Sequence, residues 1–250
     1  MRIAAAFFLV LGACAGDGIA WGPVSYGEPP PQPKVESPTL PHRGGAGCAD
    51  VVLAARGEAR YAAWWQAGAG GGSVLMLARS PDGGARWETP IVADGRDAGG
   101  LRCARPLPSL FADETTEYLH VTYHISPRGS PGVYFTHSMK ASALGASGEG
   151  VLHMPVAVTY GARPVRSSVG GRGDTVVVAF EDPNSVKPRI LLAFSTGAGH
   201  LFSTHAAVSP PGNAATSPRV ALVGDSVRVY WLEEAAGGAL RPAWRTGKLP

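Results

Sequence analysis

The chain has 250 residues, of which 16% are charged, and a formal net charge of +3 at pH 7. Glycine and proline occur 34 and 22 times, and the hydrophobic residues stand in short runs. This composition is typical of one domain made of many short strands and turns rather than long helices. The arginines are scattered, without a basic run interleaved with aromatic residues, so we expect no nucleic-acid partner.

The first residues have the pattern of an export signal. An apolar stretch over residues 3–13 follows Arg2, and it is too short to span a bilayer but suits the hydrophobic region of a signal peptide. The stretch ends in LGAC, which resembles the lipobox of bacterial lipoproteins. That resemblance implies removal of residues 1–13 and a lipid on Cys14. Ala15 is not the aspartate that this class associates with the inner membrane, which favours an outer-membrane lipoprotein. The alternative is ordinary cleavage close to Cys14, which leaves no anchor.

Residues 14–46 are predicted to form a proline-rich spacer, because seven prolines fall between positions 22 and 41. Part of this segment, near residues 20–27, resembles the start of the fourth strand of the first repeat described below. The last repeat ends after its third strand. We therefore expect residues 20–27 to close the domain by pairing beside residues 239–246.

From residue 47 onward the sequence repeats. Four alternating segments each end in an aromatic residue, spaced 59, 57 and 51 residues apart, and a hydroxyl residue follows each after 15 or 16 positions. The aromatic residues are Trp64, Tyr123, Phe180 and Trp231, and the hydroxyl residues are Ser80, Ser138, Ser195 and Thr246. A period of this length, made of short strands and turns, is typical of four-stranded propeller blades. We predict an all-β fold, a small β-propeller of four blades of four antiparallel strands. The repeats run over about 47–101, 102–161, 162–214 and 215–250.

One repeat carries a specific turn motif, SPDGGARW over residues 80–87, which matches the pattern S-x-D-x-G-x-x-W. In such a turn Ser80 and Asp82 bond the local backbone, Gly84 supplies a positive φ, and Trp87 packs beneath as an anchor. The motif resembles the Asp-box (BNR) repeat of the sialidase-like β-propeller superfamily, and the resemblance covers about residues 47–250. It implies that these four residues are structural and lie at the outer edge of a blade.

Two arginines and three acids are the candidate ligand-binding residues. Arg105 and Arg163 precede the first strands of repeats two and three, where two guanidinium groups would suit a carboxylate or sulfate. Asp50 takes the equivalent place in repeat one. Glu181 and Glu233 follow the second strands of repeats three and four, and two such acids can hydrolyse a glycoside if they face one cleft. The alternatives are local ion pairs for the arginines and solvated turns for the acids.

The histidines do not predict a metal site, and we expect no cofactor. His120 and His124 lie on one side of a predicted strand but about 13 Å apart, too far to share an ion. Apart from Cys14, the cysteines are Cys48 and Cys103. An exported protein folds where thiols oxidise, so these two are expected to form a disulfide. Aligning GCAD at 47–50 with RCAR at 102–105 places them at equivalent points of adjacent blades.

The sequence leads to two functional hypotheses. The first is an exported lipoprotein whose propeller is a non-catalytic binding or scaffold module for a glycan, a peptide or an envelope protein. It agrees with the absence of the Arg-Ile-Pro tripeptide that sialidases carry, and with a length that suits fewer than their usual six blades. The alternative is a divergent exo-glycosidase of sialidase type, acting on acidic glycans, with Arg105 and Arg163 as carboxylate clamps.

Overall fold

Each sequence repeat folds into one antiparallel sheet, because short alternating segments separated by glycine turns pair with their neighbours along the chain. The computed structural model describes residues 18–31, 34–41, 47–145, 152–203 and 205–250. Cys14 and the predicted signal lie outside these residues. Within them, no helix has the length and apolar character needed to cross a membrane.

The described residues contain seventeen strands and three short 3₁₀ segments, Ala69–Gly71, Arg102–Ala104 and Ala141–Ala143. The strands are β1 (Ala20–Trp21), β2 (Ser25–Tyr26), β3 (Gly47–Arg56), β4 (Ala59–Ala67), β5 (Ser73–Ser80), β6 (Ile91–Asp94), β7 (Ser109–Ala112), β8 (Leu119–Ile125), β9 (Gly132–Ser138), β10 (Val156–Tyr160), β11 (Ser167–Arg172), β12 (Thr175–Glu181), β13 (Ile190–Ser195), β14 (Ala206–Ala207), β15 (Ala215–Val223), β16 (Ser226–Glu234) and β17 (Leu240–Lys248).

The strands form a propeller of four blades, as the repeats predict. Blades one to three are the sheets β3-β4-β5-β6, β7-β8-β9-β10 and β11-β12-β13-β14. Blade four is formed by β15, β16 and β17, with β1 and β2 both paired to β17. Every pairing between these strands is antiparallel. Within each blade the chain therefore runs from the first strand to the outer strands by simple hairpins.

Apolar side chains on both faces of the blades fill the space between neighbouring blades. In β4, Tyr61 and Trp65 belong to the core shared with blade two, whereas Trp64 packs in a smaller cluster on the opposite face. Phe135 and Phe180 lie in the core between blades two and three. A third core joins blades three and four. A sheet covered on both sides needs continuous apolar runs, which explains why strict alternation is lost in the central strands.

The N-terminal segment completes blade four. Ala20 and Trp21 pair with Lys248 and Gly247, and further along the segment β2 pairs with Trp244 and Ala243. The chain then reaches blade one, where the Thr39 hydroxyl donates to the carbonyl of Gly84 over 2.6 Å. Part of the predicted spacer is thus built into the ring and connects its last blade to its first.

The turn over residues 80–87 joins β5 to β6 and has the contacts that its motif predicts. The Ser80 hydroxyl donates to Asp82 over 2.8 Å and accepts from the backbone N–H of Gly84 over 2.9 Å. The backbone N–H of Arg86 donates to Asp82, and this bond is the main cause that lowers the pKa of Asp82 to about 2. Gly84 has φ of 94°, and the Trp87 indole donates to Thr39. The four motif residues therefore stabilise a turn at the outer part of the blade.

Cys48 and Cys103 form a disulfide, with their Cα atoms 5.3 Å apart. The predicted pairing is confirmed, but the alignment that led to it is not. Cys48 lies within β3, which has an irregular register between Gly47 and Val51, whereas Cys103 lies in the 3₁₀ segment that precedes β7. The bond closes 55 residues of sequence and joins blade one to blade two.

Closure by the N-terminal segment can be tested at Gly247. A Cβ there would lie 2.6 Å from the Trp21 ring and 2.7 Å from Ile19, so Gly247→Ala should lower the free energy of unfolding by about 1–3 kcal/mol through overpacking. In a Trp21→Ala background the same change should cost less, because only the Ile19 contact remains. Urea unfolding of the four proteins measures the coupling. Gly100→Ala, where a Cβ has open space, is the matched control. If the losses in free energy of unfolding caused by Trp21→Ala and Gly247→Ala simply add in the double variant, the contact between Trp21 and position 247 does not exist.

Candidate functional site

The first strands of all four blades surround one central cavity of about 780 Å³. Bonds between neighbouring strands set their register, because the backbone N–H of Val169 donates to the Ser109 hydroxyl and that of Val220 donates to the Ser168 hydroxyl, each over 3.1 Å. Blade one contributes Val52 and neighbouring residues to the wall. A volume of this size is within the usual range for sites that bind small ligands.

The charged residues that line this cavity, among those the structure describes, are three arginines: Arg105, Arg166 and Arg219. Arg105 and Arg166 precede the first strands of blades two and three, whereas Arg219 lies in the middle of β15, the first strand of blade four. The described lining contains no aspartate, glutamate, histidine or tyrosine. The remaining wall is formed by serine, proline and apolar residues, including Leu107 and Phe111.

Arg105 is held by the protein itself. Its guanidinium forms a two-pronged ion pair with Asp97, of which the Nε bond measures 2.9 Å, and donates a further bond to the carbonyl of His124. Both charged side chains are fully buried. Asp97 also accepts bonds from the backbone N–H groups of Ser73 and Ser126. The pair therefore fixes the loop between β6 and β7 beside the cavity. The positive charge of Arg105 is already neutralised by Asp97.

Arg166 and Arg219 are the cations that remain available. The Arg166 side chain forms a long ion pair with Glu181 over 3.8 Å, but it is 62% exposed and can therefore also contact a ligand. Arg219 is half-buried, stacks over the ring of Tyr230 at 5.7 Å, and has an Nε without a hydrogen-bond partner among the described residues. They come from neighbouring blades, three and four. Sequence analysis missed both because it selected Arg105 and Arg163 from their matching places before the first strands. No sequence signal showed which arginines would be paired within the folded protein.

The predicted acids act as partners of the protein backbone and of local cations. Glu181 is buried and accepts bonds from the backbone N–H groups of Arg166 and Ser217, over 3.2 and 2.9 Å. Ser217 lies at φ of 57° within the irregular part of β15, so Glu181 stabilises a strained backbone at the cavity wall.

Glu233 is buried on blade four, outside the cavity lining. It accepts bonds from Arg241 over 2.6 Å, from Asn213 and from Tyr26. Burial raises the pKa of this carboxyl, but these donors outweigh burial and the pKa lies below its ordinary value. Glu233 thereby connects β16 and β17 to the N-terminal strand β2.

The other two candidates also lie outside the cavity lining. Arg163 donates to the carbonyl of Asp182, and Asp50 is exposed on β3. The five residues selected from the sequence are therefore not brought together in one pocket. Only Arg105 among them lines the cavity.

A separate cluster of histidines lies between blades two and three. One ring nitrogen each of His137, His153 and His200 lies within 4.8 Å of the others, which makes these residues a group that could hold a metal ion. Sequence spacing did not reveal it, because the residues come from two blades and meet only after folding. His120 and His124 are not part of the group, and burial lowers the pKa of His120 to about 4.

No protein-family model and no curated protein matches this sequence. Solved structures with a similar fold include a protein of unknown function from Dyadobacter fermentans, with a TM-score of 0.55, 9% identity and 79% of this chain covered. Phage phi92 endosialidase has a TM-score of 0.51 and 8% identity, with 77% covered. The chain spans 52% and 34% of the length of these two proteins. At these identities the likeness establishes the fold alone, a β-propeller.

The structural role of Arg105 can be separated from ligand binding by changing its partner. Asp97→Ala leaves a buried guanidinium unpaired and should lower the free energy of unfolding by about 3–5 kcal/mol. Asp225→Ala, at an exposed position, should change it by less than about 0.5 kcal/mol. Urea denaturation compares the two variants. If Asp97→Ala has the same free energy of unfolding as the unchanged chain, the ion pair with Asp97 does not stabilise buried Arg105.

Proposed function

We propose that this protein is a non-catalytic binding module that holds an acidic oligosaccharide at the end of its central cavity. The observation that carries this proposal is the cavity lining, in which Arg166 and Arg219 are available cations and the described wall contains no acid, histidine or tyrosine. A guanidinium group binds a carboxylate or sulfate through two parallel N–H donors. Two such groups on neighbouring blades favour a ligand with an anionic group over a neutral one.

The apolar part of the wall supports a sugar ligand. Leu107 is 46% exposed, and Leu110 and Phe111 also line the cavity. Carbohydrate rings present C–H surfaces as well as hydroxyl groups, so a mainly apolar wall with a few polar groups can orient them. The cavity also lies at the centre of the ring, where Arg219 is part of β15 and Arg166 directly precedes β11, so neither is on a long loop.

The same lining argues against hydrolysis of a glycosidic bond. Most glycoside hydrolases need two carboxyl groups that flank the scissile bond, about 5–10 Å apart. Glu181 and Glu233, the acids that the sequence offered for this role, are buried and accept bonds from protein donors. The endosialidase named above shares the fold, and fold alone does not transfer its activity.

The binding proposal predicts a loss of affinity when both arginines are removed. Arg166→Ala/Arg219→Ala should weaken binding of sialylated, uronic-acid or sulfated oligosaccharides by about tenfold or more, because each lost charged hydrogen bond is worth about 1.5–3 kcal/mol. Calorimetric titration, preceded by a glycan array to choose the probe, measures the change. A matched control is Arg163→Ala/Arg172→Ala, which removes the same charge outside the cavity lining.

Two results would contradict the proposal. One is equal binding of acidic oligosaccharides and their neutral counterparts, which would remove the role of the arginines. The other is turnover of a fluorogenic sialoside panel that disappears in Arg166→Ala/Arg219→Ala, which would make the cavity an active site of the exo-glycosidase type.

We propose in addition that the module is exported and held at the outer membrane by a lipid on Cys14. The lipobox-like LGAC sequence and the lack of an aspartate at position 15 support this location. Cys14→Ser should move the protein from the membrane to the soluble fraction and abolish incorporation of labelled palmitate. The unchanged chain is the reference in both measurements. A variant that remains in the membrane fraction would show that Cys14 is not the anchor.

A further inference from the structure

Three histidines meet where blades two and three contact each other. His137 is in β9, and the backbone N–H of His153 donates to its carbonyl over 2.9 Å, which holds the two residues side by side. His200 comes from blade three, in the turn that follows β13. The ring centroid of His137 lies 4.2 Å from that of His153 and 4.9 Å from that of His200. The cluster thus combines two residues of one blade with one residue of the next.

Hydrogen bonds orient the exposed member of the cluster. Nδ1 of His200 lies 2.7 Å from the carbonyl oxygen of Gly197. Because a carbonyl oxygen only accepts, the His200 proton is on Nδ1, and the lone pair of its Nε2 points into the cluster, where it accepts a hydrogen bond from Nδ1–H of His153. A bound metal ion would take the place of that proton. Nε2 lies 3.0 Å from Nδ1 of His153. A backbone carbonyl that fixes the tautomer of a histidine is the usual outer partner of a metal-binding imidazole.

The buried member of the cluster has an unused nitrogen. His137 is 2% exposed, and its Nε2 has no hydrogen-bond partner among the described residues. A buried polar atom without a partner is costly, and an ion bound to the cluster would remove that cost.

We propose that His137, His153 and His200 bind one zinc ion, or a related divalent transition metal, and thereby join blade two to blade three. Tetrahedral zinc with Zn–N bonds of about 2.0–2.1 Å requires ligand nitrogens about 3.4 Å apart. The present separations of up to 4.8 Å need only small side-chain rotations. His153 is half-buried and His200 is exposed, so these two can move and a solvent molecule can take the fourth position.

The chemistry of the donors selects the class of metal. Imidazole nitrogens suit zinc, copper and nickel, whereas calcium and magnesium require oxygen ligands. The described part of the cluster contains three imidazoles and no carboxylate. Phe135 and Phe202 pack on the inner side, with the Phe135 ring 5.5 Å from that of His137. The ion would therefore contact protein on one side and solvent on the other.

The test is metal binding by the full chain carrying Cys14→Ser, which leaves no cysteine outside the disulfide, purified without a polyhistidine tag. After removal of metal by a chelator, we expect one equivalent of Zn²⁺ to bind in a calorimetric titration and to raise Tm, because zinc binds only the folded cluster. Co²⁺ should give the visible absorption bands of tetrahedral coordination. Mg²⁺ and Ca²⁺ should have no effect.

Variants distinguish the cluster from other histidines. His200→Ala, at an exposed position, should weaken zinc binding by more than about 100-fold and abolish the rise in Tm, since loss of an outer partner alone costs about 10–100-fold. His205→Ala is the matched control, because it removes an exposed histidine that lies outside the cluster. Equal zinc affinity in the unchanged chain and in His200→Ala would overturn the proposal. The proposal would also be overturned if His205→Ala abolished zinc binding while His200→Ala left it intact.

Discussion

The structure depends on the fact that a four-stranded blade has two faces to bury and cannot bury either of them alone. Burial of apolar surface stabilises a protein by roughly 25 cal/mol per Å², and in a propeller that surface is shared between neighbours. In blade one, Tyr61 and Trp65 face blade two while Trp64 faces the other way. Each blade is therefore stable only as a member of the ring, and every junction between blades has to be maintained.

Closing the ring requires a partner for the edge strand of blade four, and the N-terminal segment provides it. The last repeat supplies three strands, so blade four would expose the edge of β17 if no other segment paired with it. Exposed strand edges invite association with other chains. Strands β1 and β2 cover this edge, and Tyr26 bonds the buried Glu233 at the same place. A segment whose composition indicates a spacer is thus partly an element of the fold.

The repeat could be predicted from the sequence because its marks are local. The aromatic residue and the hydroxyl residue of each blade lie 15 or 16 positions apart on paired strands, so their spacing reflects hairpin geometry directly. The site could not be predicted in the same way. Arg105 and Arg166 have the same chemistry, and what separates them is that Arg105 is fully buried in its pair with Asp97, whereas Arg166 is 62% exposed beside Glu181. The position of Arg219 depends on the irregular register of β15 between Thr216 and Arg219, which the sequence pattern does not reveal.

Polar or covalent links reinforce the hydrophobic cores at the junctions between blades. The disulfide joins blade one to blade two, and the carboxylate of Glu181 in blade three bonds the backbone of Ser217 in blade four. The N-terminal segment contacts blades four and one. The junction between blades two and three carries the histidine cluster.

These links matter for the cavity, since its wall is assembled from all four blades and its two available arginines belong to different ones. A shift between blades three and four would change the distance between Arg166 and Arg219, and bidentate recognition of an anionic group tolerates little such change. Glu181 bonds the backbone of Arg166 and the bulge that precedes Arg219. Glu181, which sequence analysis selected as a candidate ligand-binding residue, therefore serves the cavity in another way, by holding the segments that carry Arg166 and Arg219 at a fixed separation.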